Sequence, residues 1–123
     1  MKQAKIMNVY SITEKLSSTE GLTPNGKWVL YITRKALTPH YEFQLTEVKK
    51  LFEKYEAEQD REKGTFNFKT PEDAQSFKEE YDELDNLDVE LDLNMQHAKL
   101  SDIPAITVQQ IEALEEFIEF TPE

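Results

Sequence analysis

The stretch TFNFKTPEDAQSFKEEYDELDNLDVELDLNM, residues 65–95, decides the fold, because two strand patterns flank a helix start within it. Residues 65–69 alternate polar and aromatic side chains, which is typical of a short strand. Thr70 and Pro71 then form a helix start, since the threonine hydroxyl caps free N–H groups and proline lacks the N–H that would be unpaired. Apolar and acidic residues alternate over 88–95 and indicate a half-buried strand. We therefore predict a strand-helix-strand unit, whose connection is long enough for parallel pairing.

The helix of this unit, residues 71–85, has an apolar side and an acidic side. Its apolar side chains recur at helical spacing, at Ala74, Phe77, Tyr81 and Leu84. The acids between them, and the acids of the strand that follows, are predicted to face solvent. A surface of one charge attracts cationic partners. The candidate partner-binding residues, called the acidic face below, are Glu79, Glu80, Asp82, Glu83, Asp88, Glu90 and Asp92.

The N-terminal part of the chain is predicted to be helical. Residues 5–16 have apolar side chains at helical spacing, and a loop is expected over 17–26, which is rich in residues that favour turns. The apolar run that begins at Trp28 is interpreted as a helix because good helix formers continue it. Thr38 and Pro39 then indicate a new helix or a kinked continuation.

Two more helices complete the prediction, one before and one after the deciding stretch. The first covers 40–59, and the second covers 108–119, where Thr107 and Gln110 match a capping box. Large apolar residues at spacings of three and four place one face of the first helix in the core: Tyr41, Leu45, Val48, Phe52 and Tyr55. The apolar face of the last helix consists of Val108, Ile111, Leu114, Phe117 and Ile118.

These elements predict the fold class. We expect one mainly helical α+β domain over residues 1–123, with a small sheet of two or three strands built from 65–69 and 88–95. The helices at 40–59, 71–85 and 108–119 are expected to cover it. A length of 123 residues is sufficient for one core.

The charge of the chain is divided unequally. Residues 1–70 contain 12 Lys and Arg against 9 Asp and Glu, whereas residues 71–123 contain 2 against 16, which together give the formal net charge of −11. Such a surface repels nucleic acid and membranes, so we expect protein partners with a basic surface. The basic residues Lys27, Arg34 and Lys35 near Trp28 and Tyr31 could stack nucleic acid, but the net charge opposes this, and the tryptophan is interpreted as a core residue.

The sequence contains no pattern that indicates an enzyme. It has no cysteine, and its histidines, His40 and His97, are interpreted as surface or capping residues because neither has companion ligands at metal-site spacing. The three glycines are isolated, so no glycine-rich phosphate loop is expected. Residues 82–88 are acidic but lack the glycine of a calcium loop. We predict no catalytic residue, cofactor or metal. A small hydrolase whose site is not recognised in the sequence is kept as a third hypothesis, after the two interaction functions given below.

The location is predicted from the absence of apolar segments. The N-terminal residues contain no apolar core of signal-peptide length, and no stretch approaches the length of a membrane span. We therefore expect a cytoplasmic protein without membrane contact.

Several segments together resemble a family. They are LFEKYE at 51–56, FNFK at 66–69, FKEEYDEL at 77–84 and FIEF at 117–120. In their order along the chain and their residue character, these segments resemble those of small tailed-bacteriophage proteins of uncharacterised function. The chain differs from these proteins over residues 28–39, where they look more uniformly helical.

The resemblance implies a small virion or assembly accessory protein in the host cytoplasm, or in the virion, that acts by binding other proteins. It implies no catalytic residues. The acidic face suggests an alternative, an inhibitor that mimics nucleic acid and occupies the binding channel of a host enzyme. The oligomeric state is left open.

Overall fold

The structure, a computed structural model, describes residues 1–60 and 62–122 and is mainly helical. The predicted α+β class is confirmed. In chain order its elements are α1 (Gln3–Ser17), α2 (Pro24–Lys54), β1 (Glu58–Asp60), β2 (Thr65–Asn67), α3 (Pro71–Asp85), β3 (Gln96–Lys99), a short 3₁₀ helix (Leu100–Asp102), α4 (Val108–Leu114) and β4 (Ile118–Thr121).

The core lies between α1, α2 and the C-terminal third of the chain. Every third or fourth residue of α1 is buried, as its sequence predicted, and this face packs against α2. Each large aliphatic side chain moved from water into such a core stabilises the fold by about 1.5–3 kcal/mol. The core cluster consists of Ile6, Val9, Leu16, Val29, Leu30, Leu37, Ala98, Ile103, Leu114, Phe117 and Ile118.

Helix α2 is a single helix of 31 residues. It begins at Pro24, where the Thr23 hydroxyl accepts a hydrogen bond from the Gly26 N–H at 3.1 Å, so the predicted loop ends earlier than residue 26. The predicted helix start at Thr38 and Pro39 is absent, because the helix continues through the proline. The Thr38 hydroxyl donates to the Arg34 carbonyl oxygen at 2.8 Å, one turn back.

The buried side of α2 differs from the predicted one. Leu37, Gln44 and Leu51 are buried and recur at seven-residue spacing, whereas Leu45 is 48% exposed. The helix also ends at Lys54, before the predicted residue 59. Leu37 belongs to the core cluster with residues of α1, and Gln44 donates a hydrogen bond to Asp85 of α3 at 2.8 Å, so packing on both neighbouring helices selects the buried side of α2.

A second apolar cluster, the aromatic cluster, joins the end of α2 to α3 and the β1–β2 hairpin. The Phe77 ring is its centre, with ring centroids 5.3 Å from Phe52 and 5.1 Å from Phe68. Phe66 of β2 lies 5.1 Å from Phe52. Because the hairpin residues are otherwise exposed, these ring contacts attach it to the helices.

Two sheets of two strands take the place of the single predicted sheet. β1 and β2 are antiparallel, with Gln59 opposite Phe66, and β3 and β4 are parallel, with Ala98 opposite Phe120. The predicted strand at 65–69 is confirmed over Thr65–Asn67, but its predicted pairing with 88–95 is wrong.

Residues 88–95 alternate in burial without forming a strand. Val89, Leu91 and Leu93 pack against the core, and the acids between them are exposed, as predicted, but Met95, predicted on the same apolar side, is 43% exposed. In the described part of the chain, the backbone of this segment forms one isolated bridge, between Lys2 and Asp88. Alternation reports which side is buried, but it does not specify a pairing partner.

The predicted C-terminal helix is correct only in its first half. The capping box is present, since the Gln110 N–H donates to the Thr107 hydroxyl at 3.2 Å and the Thr107 N–H donates to Gln110 Oε1 at 2.9 Å. Helix α4 then ends at Leu114, and the chain turns so that the next residues pair with β3 as β4. Val108, predicted to be apolar core, is 70% exposed.

Candidate functional site: the acidic face

Helix α3 places the first acids of the acidic face in solvent. The Asp73 N–H donates to the Thr70 hydroxyl at 3.1 Å, which caps the helix as predicted, and Phe77 anchors its inner side at 7% exposure. Glu79, Asp82 and Glu83 lie on the opposite side and are exposed. Glu79 accepts one hydrogen bond, from the Gln75 side chain at 3.1 Å.

Glu80 differs from its neighbours because it faces α2. Its Oε1 accepts a hydrogen bond from Lys54 Nζ at 2.9 Å, and its side chain is half-buried. The nearby Tyr55 hydroxyl and then the Lys54 ammonium group hold the pKa of Glu80 below its usual value, because both stabilise the charged carboxylate. Glu80 therefore makes its contacts within the molecule, with the end of α2, and is less accessible to a partner protein than the neighbouring acids of α3 are.

The extended segment after α3 exposes the remaining acids of the face. Asp88, Glu90 and Asp92 are all exposed. Asp88 forms an ion pair with Lys2 at 3.4 Å, an exposed contact that contributes little to stability. Within residues 1–60 and 62–122, five members of the acidic face have no Lys, Arg or His at ion-pair distance: Glu79, Asp82, Glu83, Glu90 and Asp92.

A groove runs between α2 and α3 beside these acids, and we call it the leucine groove. It encloses about 220 Å³, its carboxylates are Glu47, Glu80 and Glu83, and its apolar surface comes from Leu51, Leu84 and Leu87. Leu87 is 43% exposed. The arrangement is an apolar trough beside carboxylates, which suits a ligand that combines an apolar group with a positive charge.

The N-terminal half of α2 presents a different exposed surface, which the sequence did not predict. Trp28 is 54% exposed and Tyr31 is 45% exposed, so the interpretation of the tryptophan as a core residue is wrong. Their rings lie 5.9 Å apart, and Lys35 Nζ lies 5.9 Å from the Tyr31 ring. Residues 21–41 contain no acid, and this local absence was the available signal.

Among the described residues, the one buried carboxylate belongs to Asp102, which lies outside the acidic face and which the sequence also did not single out. Its oxygens accept hydrogen bonds from the Thr23 hydroxyl at 2.6 Å, the Asn25 side chain at 3.0 Å and the Lys99 N–H at 2.8 Å. The Thr23 bond, followed by the Lys99 and Asn25 bonds, holds the pKa of Asp102 below its usual value. Through these three hydrogen bonds, Asp102 joins the 3₁₀ helix to the start of α2.

Both histidines lie outside any group of described residues that could hold a metal ion. His97 Nδ1 lies 3.5 Å from Glu119 on the surface, and the His40 carbonyl oxygen accepts a hydrogen bond from the Gln3 side chain at 2.6 Å. In the described part of the chain, no group of three or more His, Asp or Glu side chains is arranged to hold a metal ion. Across residues 1–60 and 62–122, no helix has the length and apolar character needed to cross a membrane.

Comparisons with protein families, with curated proteins and with solved structures gave no match. The resemblance to tailed-bacteriophage proteins therefore stays a prediction.

Proposed function

We propose that the protein is a non-catalytic interaction module whose acidic face binds a basic surface of another protein. One observation carries the proposal. Five exposed carboxylates have no cationic partner among the described residues, whereas Glu80 and Asp88, the other members of the face, each pair with a lysine. Unpaired carboxylates on a surface raise the local concentration of cationic partners and accelerate their encounter.

The arrangement of α3 supports binding through this face. Phe77 and the apolar residues on its side fix the helix against α2, so the outward carboxylates are held on a rigid element. Rigid presentation lowers the entropy lost on binding. The role as a virion or assembly accessory protein, the nucleic-acid mimic and the small hydrolase stay predictions.

The experiment compares two triple charge reversals of equal net charge. The first replaces Glu79, Asp82 and Glu83 by Lys, and leaves Glu80 in its pair with Lys54. The second, a control, replaces exposed acids elsewhere by Lys, namely Glu14, Glu20 and Glu112. Immobilised wild-type protein should capture a basic protein from the source cell in a complex that weakens as salt is raised.

We expect the face variant to lose this complex and the control variant to keep it. The complex must also form between the two purified proteins. Capture that is equal for both variants, or lost by both, would contradict the proposal, because net charge rather than the acidic face would then determine binding.

A further inference from the structure

Two surfaces of this molecule complement each other in shape and charge. The first is the exposed face of α2 around Trp28, which we call the aromatic face and define as Lys27, Trp28, Tyr31, Arg34 and Lys35. The second is the leucine groove. We propose that the aromatic face of one copy docks into the leucine groove of the next, so that the protein assembles head to tail. This inference rests on the proposed function, because Glu80 and Glu83 of the groove belong to the acidic face.

The aromatic face has the composition and spacing of a docking helix. Trp28, Tyr31 and Lys35 lie at positions i, i+3 and i+7, which place three side chains along one side of a helix that enters a groove. Tryptophan, tyrosine and arginine are the residues that contribute most to interface energies. A tryptophan left 54% exposed therefore indicates a surface that another molecule covers.

The charges of the two surfaces are opposite. Within residues 1–60 and 62–122, no carboxylate lies at ion-pair distance from Lys27, Arg34 or Lys35, so their charges are available to a partner. Three carboxylates line the leucine groove, but Glu47 is paired with Lys50 at 3.2 Å and Glu80 with Lys54 at 2.9 Å, so among the described residues Glu83 is the groove carboxylate without a cationic partner. At physiological salt, charges interact over about 8 Å, so Glu83 attracts a cation at the contact while acids farther apart on two copies are largely screened from each other.

The groove is large enough for an aromatic ring. Its volume of about 220 Å³ exceeds the roughly 150 Å³ of a leucine-lined cavity that accepts benzene. Its apolar surface is supplied by Leu51, Leu84 and Leu87. The indole of Trp28 can therefore contact leucine side chains while a neighbouring lysine reaches Glu83, the groove carboxylate that has no cationic partner among the described residues.

The two surfaces of one copy cannot meet each other. Trp28 and Leu51 lie in the same helix, and 23 residues at 1.5 Å each separate them by about 35 Å along its axis. Each copy thus has a docking face toward one end of α2 and a groove toward the other. Such a contact joins different surfaces of two copies and extends into a chain unless its rotation closes a ring.

The test is sedimentation velocity of the purified full-length protein at increasing concentration and physiological salt. Wild-type protein should form a concentration-dependent series of oligomers. Trp28→Ala, an exposed substitution that leaves net charge unchanged, should weaken association about tenfold or more. Its circular dichroism should equal that of the wild type.

A charge exchange identifies the two surfaces. Variant one is Lys27→Glu with Lys35→Glu, and variant two is Glu47→Lys with Glu83→Lys. Each alone should be monomeric, because like charges then face each other. An equimolar mixture should associate again, since the opposite charges are restored across the contact.

Control variants separate this effect from net charge. Lys15→Glu with Lys63→Glu matches the first variant in net charge, and Glu14→Lys with Glu20→Lys matches the second. Both controls should associate as the wild type does. A monomeric wild type, controls that lose association, or a mixture that stays monomeric would each overturn head-to-tail assembly. A monomeric wild type whose acidic face still binds a basic protein would leave the proposed function intact.

Discussion

Replacing Asp102 by Ala should destabilise the protein strongly although the residue lies outside both proposed interaction surfaces. The carboxylate accepts three hydrogen bonds of 2.6, 2.8 and 3.0 Å, and it is 9% exposed. A hydrogen bond to a charged group contributes about 1.5–3 kcal/mol. Three bonds at the lower limit would give about 4.5 kcal/mol. Since Asn25 is exposed, water can take the place of Asp102 as its hydrogen-bond partner. We therefore expect Asp102→Ala to lower the free energy of unfolding by about 3 kcal/mol.

The measurement is urea unfolding followed by far-ultraviolet circular dichroism at neutral pH. A loss of about 3 kcal/mol is a large fraction of the 5–15 kcal/mol by which ordinary domains are stable. Asp92→Ala is the control, because it removes an exposed carboxylate and should change the free energy of unfolding by less than about 0.5 kcal/mol. If Asp102→Ala is as mild as Asp92→Ala, the hydrogen bonds contribute no net stability and the reasoning is refuted.

The effect should also depend on pH. The pKa of Asp102 is lower in the folded protein than in the unfolded chain, where the pKa of an aspartate is about 4. Its charged form therefore stabilises the fold fully above that value, and this contribution is lost as the pH falls through the lower, folded pKa. The difference in free energy of unfolding between the wild type and Asp102→Asn should accordingly become smaller as the pH falls below about 4. A difference that stays constant with pH would mean that the charge is irrelevant.

Two further substitutions test the packing by the same unfolding assay. Gly26→Ala places a Cβ atom 2.2 Å from the Asp102 carbonyl oxygen, so it should lower the free energy of unfolding by about 1–3 kcal/mol even after the gain in helix propensity. In the control Gly64→Ala, the new Cβ atom meets no atom within 4 Å, so the loss should be only the roughly 1–2 kcal/mol of a left-handed backbone that carries a side chain. A Gly26→Ala variant as stable as the wild type would show that the contact is loose. Phe77→Ala should cost about 3–5 kcal/mol because it empties the centre of the aromatic cluster, whereas Leu45→Ala, on an exposed position, should be nearly neutral. Equal effects at Phe77 and Leu45 would show that the cluster is not a packed unit.

Three of the four threonine-proline pairs show what the sequence can predict about helix ends. Thr23-Pro24 and Thr70-Pro71 both start helices, with the threonine hydroxyl accepting a backbone hydrogen bond in each. Thr38-Pro39 has the same local pattern but lies inside α2. There the Thr38 hydroxyl donates back along the helix, and Leu37 is buried against α1. The local signal was identical, so only tertiary packing distinguished the third pair.

Strand pairing was the least predictable part of the fold. The alternation over 88–95 correctly predicts that Val89, Leu91 and Leu93 contact the core, because facing depends on the local pattern, but it fails at Met95, which is exposed. The partner of a strand depends on contacts distant in sequence. β3 pairs with β4 about twenty residues later, and the predicted helix over 108–119 overlaps the start of β4 because Ile118 continues the helical spacing of apolar residues.

The candidate sites also include features that follow from the local sequence and features that depend on tertiary packing. Exposure of Glu79, Asp82 and Glu83 followed from helical spacing alone. The pairing of Glu80 with Lys54 required the packing of α3 on α2, which the sequence does not encode locally. The exposure of Trp28 does not follow from the apolar run, which has no local mark that tells which residue is buried; the absence of acids over 21–41 is the signal that the sequence offers.

The exposed position of Trp28 makes the chain's single indole a reporter of contacts rather than of folding. A half-exposed indole gains less water when the chain unfolds than a buried one does, so its emission should shift less in denaturant than that of a core tryptophan. The same ring loses water when another molecule covers it, and its emission should then move to shorter wavelength. The direction of the shift therefore distinguishes association of this protein from its unfolding, which far-ultraviolet circular dichroism records independently.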